Sequence, residues 1–172
     1  MKTFEAIDII DIEKNIIRLI AKDWMLVTAG TPDKFNTMTA NWGGMGFLWN
    51  KAVAFIFIRP QRYTFEFIEH EPVITLSFFD EQYREALNIC GSKSGRDTDK
   101  VKLAGITPIE SSNESVSFSE AFLIIEGKKL YAEFLKAESF IDESIVNNIY
   151  RDFDFHKLYI VEITKAWIKQ VV

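Results

Sequence analysis

The sequence predicts a mainly β, antiparallel barrel with short helical insertions. Three observations carry that expectation: β-favouring runs recur along the chain, helix-capping residues fall between them, and no internal repeat or low-complexity tract interrupts the pattern. The chain has 172 residues, 48% of them hydrophobic and 15 of them Phe. That is enough for one well-buried core and short for two, so residues 1–172 are expected to form a single domain.

From Trp24 to Thr28 and from Phe35 to Asn41, β-favouring runs flank Gly30-Thr31-Pro32-Asp33-Lys34, a turn-rich cluster that reads as a hairpin. Ala52–Arg59 is almost continuously apolar, the pattern of a strand covered on both faces, and Pro60 stops it. Thr64–His70 reads as a short helix with Thr64 as its cap and Glu66 near its positive end. Val73–Phe79 is a further strand. Asp80 is placed to cap Glu81–Cys90, which Gly91 would end, and Asp97 to cap a helix reaching Leu103, which Gly105 would end. Glu110–Ser119, rich in Ser, reads as an exposed loop. Ala121–Leu135 and His156–Trp167 are long β-rich stretches, and between them Asp142–Asp154 reads as an irregular excursion.

Composition narrows the partners. A net charge of −5 and an isoelectric point near 5.1 would repel a phosphate backbone, so nucleic acid is not expected. Met1–Ile10 carries Glu5 and Asp8 where a secretory signal would be basic and then apolar. Apolar runs such as Ala52–Ile58 fall far short of the roughly 20 residues that span a bilayer, so no membrane association is expected. One cysteine cannot form an internal disulfide and two histidines make a poor metal site, which fits a reducing, cytoplasmic setting without a bound metal. Cys90 follows Leu87 and Tyr83 at helical spacing and reads as a small buried hydrophobe rather than a reactive thiol.

Three segments could bind a ligand. Asn36-Thr37-Met38-Thr39-Ala40-Asn41-Trp42-Gly43-Gly44 begins as a strand and ends in paired glycines that let a flat ring approach the backbone; an ordinary strand before a glycine turn explains it equally well. Arg59-Pro60-Gln61-Arg62-Tyr63-Thr64 sets two guanidinium forks and a hydroxyl beside a helix start, where free amides favour a phosphate, or simply solvated arginines around a cap. Ser92-Lys93-Ser94-Gly95-Arg96-Asp97 repeats the theme. No dinucleotide fingerprint, phosphate loop or Gly-x-Ser-x-Gly elbow occurs. His156, just before the last strand, could exchange a proton near neutral pH, although a structural role is the commoner one for such a histidine.

Taken together, Met38–Gly44, then Ser94-Gly95-Arg96-Asp97-Thr98-Asp99-Lys100, then Phe155–Ile163 resemble the flavin reductase-like family, in its order and rough spacing, with the likeness running from about Trp24 to Ile163. The resemblance implies an FMN-binding split β-barrel that forms a homodimer. Thr39, Ala40, Asn41 and Trp42 would then lie along the isoalloxazine. Arg59, Arg62, Tyr63 and Thr64 would serve the ribityl phosphate, while Ser92, Ser94, Gly95, Arg96 and Asp97 close over the cofactor. Lys129 matches a basic position near the flavin, and His156 would be the catalytic residue bordering the nicotinamide. Asn41 departs from the small residue that relatives often carry there.

The activity expected from this likeness is hydride transfer between NADH or NADPH, as transient co-substrate, and FMN. The alternative is an electron-transfer flavoprotein of flavoredoxin type without NAD(P)H activity of its own. A redox partner protein or a monooxygenase is the kind of acceptor either would serve.

Overall fold

The computed structural model describes residues 4–170. Strands β1 (Phe4–Ile7), β2 (Met25–Thr31), β3 (Lys34–Ala40), β4 (Gly43–Leu48), β5 (Lys51–Ile58), β6 (Val73–Phe78), β9 (Leu123–Phe134) and β10 (Lys157–Lys169) form one antiparallel sheet in the order β3-β2-β6-β9-β10-β5-β4, with β1 added to β10. Strands β7 (Pro108–Glu110) and β8 (Val116–Phe118) make a separate hairpin. The helices are α1 (Ile16–Arg18), α2 (Tyr63–His70), α3 (Arg84–Ser92), α4 (Lys100–Ala104) and α5 (Glu143–Ile149).

The apolar runs are continuous because both faces of the sheet are covered. Met25, Val27 and Ala29 of β2, with Ile74, Leu76 and Phe78 of β6, pack into one core cluster together with Leu19 and Ile68. Their alternating neighbours Leu26 and Ile124 pack into another, roofed by Leu87 and Cys90 of α3 and by Phe118 of β8. Period-two alternation thus survives, hidden by a hydrophobic residue on each side. Cys90 is buried as expected, and burial pushes its thiol up to about 11.

Several expectations need correction. The N-cap of α2 is Arg62, without a side-chain cap bond; Thr64 lies inside the first turn and is fully buried. Asp80 makes no side-chain cap bond, and α3 runs through Gly91 to Ser92. Asp99, not Asp97, caps α4, its carboxylate accepting from the Lys102 amide at 3.1 Å, while Gly105 ends that helix in the left-handed region as anticipated. Gly43 and Gly44 begin strand β4 rather than a turn, and the following turn at Trp49 and Asn50 takes positive φ at both residues, the two-residue hairpin geometry. The excursion after Phe140 contains α5, capped by Asp142.

The Ser-rich stretch is the largest departure, because Glu110–Ser119 is a packed hairpin and not an exposed loop. Its hydroxyls serve a buried anion. Ser111, Ser112 and Asn113 all donate to the carboxylate of Glu126, which is fully buried on β9. An uncompensated carboxylate there would be costly, so these polar residues face inward.

Next to Glu126, Gly127 sits where β9 and β10 approach most closely; a Cβ would lie 2.5 Å from Val161 Cγ1 and 2.6 Å from the Glu162 carbonyl oxygen. A strand oxygen cannot swing aside as a side-chain tip can. Gly127→Ala is therefore expected to destabilise the domain by about 1–3 kcal/mol. Urea unfolding of parent and variant measures this, and an unchanged midpoint would refute the close approach.

Candidate functional site

At one end of the sheet the end of β3, the start of α2 and the chain after α3 meet in two adjoining clefts of about 370 and 240 Å³, which share Met38, Arg59 and Arg62. The junction is built from the sequence upward. Asn36 Nδ2 donates to Thr64 Oγ1 at 2.6 Å, tying β3 to the first turn of α2. Gly95 then packs on Asn36 so tightly that a Cβ would lie 2.1 Å from its Oδ1. Only glycine allows the 92–97 loop to close there.

The larger cleft is an anion site by composition: Arg59, Arg62, Lys93, Arg96 and Lys100 line it, with Gln61, Tyr63, Thr64, Ser92 and Ser94, and no carboxylate does. Arg62 donates to the Gly91 carbonyl at 2.8 Å. Arg96 pairs with Glu66, donates to the Gln61 carbonyl and lies 4.7 Å over the Tyr63 ring, which staples the loop to α2. Thr64 Oγ1, accepting from Asn36, keeps its own proton to donate. Ser92 spends its hydroxyl on the Asn88 carbonyl, and Ser94 accepts from the Arg96 amide.

Lys100 is the residue the sequence reading missed. It is only 5% exposed, and its ammonium donates to the carbonyls of Cys90 at 3.3 Å and Lys93 at 3.5 Å, leaving a third N–H without a protein partner among the described residues. Burial, together with the nearby Arg62 charge, pushes it down to about 8. Its place at the end of the quoted Ser94–Lys100 segment was the one available signal.

The smaller cleft has fewer charged residues and carries aromatic rings. Thr39, Ala40, Asn41, Trp42, Phe57 and His156 line it with the three shared residues. The Thr39 hydroxyl is committed to the Leu87 carbonyl on α3. Trp42 remains 46% exposed, its ring 5.1 Å from that of His156. His156 is buried and bonded through Nδ1 to the Tyr150 hydroxyl at 2.8 Å. Burial and then the Arg59 charge push it down to about 4, so the imidazole is neutral at neutral pH.

Twelve of the fifteen residues expected at the site line one or both clefts, and three do not. Gly95 and Asp97 line a neighbouring hollow with Asn36 and Asp99, behind the loop. Lys129 lines neither cleft: its ammonium donates to the Ile68 and Glu69 carbonyls, where a cation complements the negative end of α2. A larger hollow of about 620 Å³ lies across α2; its Glu66 and Glu69 are paired with Arg96 and Lys157.

The family model described as flavin reductase like domain matches residues 17–171. No curated protein sequence matches the chain. Among solved structures, a split barrel domain protein of Shewanella frigidimarina NCIMB 400 is 16% identical with a TM-score of 0.68, over 90% of this chain and 73% of that one. Flavoredoxin of Desulfovibrio vulgaris (Miyazaki F) is 21% identical with a TM-score of 0.66, over 86% and 69%. The NADH:FAD oxidoreductase of Streptomyces globisporus C-1027, solved with NAD and FAD fragments, is 13% identical with a TM-score of 0.62, over 84% and 73%. The antiparallel sheet with its short helices is thus of the split-barrel type, and the chain belongs to the flavin reductase-like domain family.

Proposed function

We propose that the two clefts hold FMN and that the chain is an NAD(P)H-dependent flavin oxidoreductase. The observation that carries this is the joining of a five-cation cleft to one lined by Trp42, Phe57 and His156 through Arg59 and Arg62, in a chain whose net charge is −5. An elongated ligand with an anionic tail and a planar head suits that shape. The buried, partly unpartnered Lys100 ammonium supports a phosphate at the tail end, because a desolvated cation gains most from a desolvated anion.

Arg59, Arg62, Arg96, Lys100 and the Thr64 hydroxyl would hold the phosphate, and the backbone from Thr39 to Trp42 would bracket the ring. FMN, when bound, supplies the hydride and one-electron chemistry. The chain orients and screens. Trp42 covers one side of the ring cleft and limits water, and neutral His156, with Nδ1 held by Tyr150, keeps Nε2 for a nicotinamide amide or a proton-carrying water.

Equilibrium dialysis tests the cofactor. FMN should bind saturably, and Arg62→Ala should weaken FMN by about 1.5–3 kcal/mol while leaving riboflavin nearly unaffected, since riboflavin has no phosphate. Equal loss of both ligands would assign Arg62 to folding through its bond to Gly91.

The depressed Lys100 gives that affinity a pH dependence. In the free protein the ammonium loses its proton above about 8, whereas a bound phosphate keeps it charged, so binding takes up a proton in that range. FMN affinity should be flat between pH 7 and 8 and then fall, approaching about tenfold per pH unit. Lys100→Met should abolish the slope. A parent profile flat to pH 9.5 would exclude Lys100 from the phosphate site.

Anaerobic bleaching of bound FMN by NADH and by NADPH tests the reaction. His156→Asn should bind FMN normally yet bleach more slowly, and a parental rate would remove His156 from the site. FMN binding without bleaching by either nucleotide would favour the flavoredoxin-type alternative.

A further inference from the structure

One cationic end of the cleft is already met by an anion of the chain itself. Asp154 Oδ2 accepts from Arg59 Nη1 and, at 2.6 Å, from Gln61 Nε2, while Arg59 Nη2 donates to the Ile149 carbonyl at 3.1 Å. Burial works against the Asp154 charge, but the bonds from Gln61 and Arg59 more than offset it and hold the carboxyl below its usual range. Arg59 and Gln61 both line the larger cleft, and Arg59 the smaller one too. The same strap, Phe140–Phe155, also carries Tyr150, which lies 5.4 Å from Arg59 and bonds to His156.

Tyr150 is buried and anchors the middle of this strap on His156, whereas its two ends are held less firmly. Ile141 is fully exposed and Phe153 73% exposed, and Phe153 sits at φ 56, a left-handed conformation unfavourable for an aromatic residue, immediately before Asp154. Its internal packing, Phe140 and Phe155 on Tyr150, stays within the strap. Between Ile149 and Asp154 the strap docks on the cleft through Arg59, with Gln61 as a second partner of Asp154 and His156 as the partner of Tyr150. A ligand phosphate needs the same donors and carries more charge than a carboxylate.

We propose that Asp154 is a built-in counter-anion for the cleft, and that a phosphate-bearing ligand displaces it from Arg59 and Gln61 and so loosens the 151–155 end of the strap, while Tyr150 stays bonded to His156. This rests on the reading that the cleft takes a phosphate, not on the identity of the rest of the ligand. It makes Asp154 a selectivity residue: weakly anionic ligands cannot evict it, and strongly anionic ones can.

The test is dialysis of FMN and riboflavin against the parent, Asp154→Asn and Asp154→Glu, with hydrogen exchange of the 151–155 strap amides read without ligand, with FMN and with inorganic phosphate. Asp154→Asn should bind FMN about two- to fivefold more tightly, the range for a partly exposed ion pair, with riboflavin unchanged and Asp154→Glu restoring parental affinity. Strap exchange should speed up in the parent on adding FMN or phosphate, and be fast in Asp154→Asn from the start. Weaker FMN binding by Asp154→Asn would make Asp154 an orienting partner of Arg59 and overturn the proposal, as would strap exchange indifferent to both anions. If phosphate loosens the strap but FMN does not bind, the displacement stands and the flavin reading falls.

Discussion

The cleft depends on one buried hydrogen bond, from Asn36 to Thr64. Asn36 is central to β3, Thr64 closes the first turn of α2, and Gly95 of the following loop stacks on the same amide with no room for a side chain. Three segments far apart in sequence are thereby fixed at one point. Polar groups this deep are costly unless paired, so the bond leaves little freedom in how β3, α2 and the loop can be arranged. The guanidinium groups of Arg59 and Arg62 and the Lys100 ammonium inherit their positions from that arrangement, and the strand that precedes Trp42 does as well.

Charge in this protein is separated rather than balanced. The chain is acidic overall, yet five cations gather on one cleft whose lining has no carboxylate. Burial then acts on two of the groups in opposite functional senses. Lys100 is depressed only to about 8, so it stays cationic at neutral pH and available to an anion. His156 is depressed to about 4 and is neutral there, suited to hydrogen bonding rather than to holding charge. Burial is the larger cause of that depression and the Arg59 charge adds to it, so a cation shared by the two clefts also favours the neutral imidazole.

The strands were legible because their residues are apolar on both faces, and β2, β3, β5 and β6 agree with expectation to within a few residues. Helix caps were less so. Asp97 and Asp99 are chemically equivalent caps two residues apart, and only the path of the loop over Asn36 decides between them. Strand β4 was hidden because Gly43, Gly44 and Gly46 have no β preference of their own; the partner β5 imposes the extended form, and a Cβ at Gly43 would lie 2.7 Å from the Phe55 oxygen. The hairpin over Glu126 was hidden for the reverse reason, since serine and asparagine signal solvent until a buried carboxylate needs their donors.

Site residues followed the same division. Those in contiguous motifs, from Thr39 to Trp42 and from Arg59 to Thr64, fall on the clefts because a strand end and a helix start each carry a short run of residues to one place. Lys129 does not, although it is basic and on a central strand, because the carbonyl ends of α2 lie closer to its ammonium than any cleft does and supply the partners a half-buried cation requires. Lys100 shows the converse. It is buried where the chain passes from α3 into α4, and apart from its place at the end of the Ser94–Lys100 segment no local pattern distinguishes it from the neighbouring exposed Lys102. Lys100 is set apart by what the fold removes around its ammonium, namely water, rather than by any residue adjacent to it in sequence.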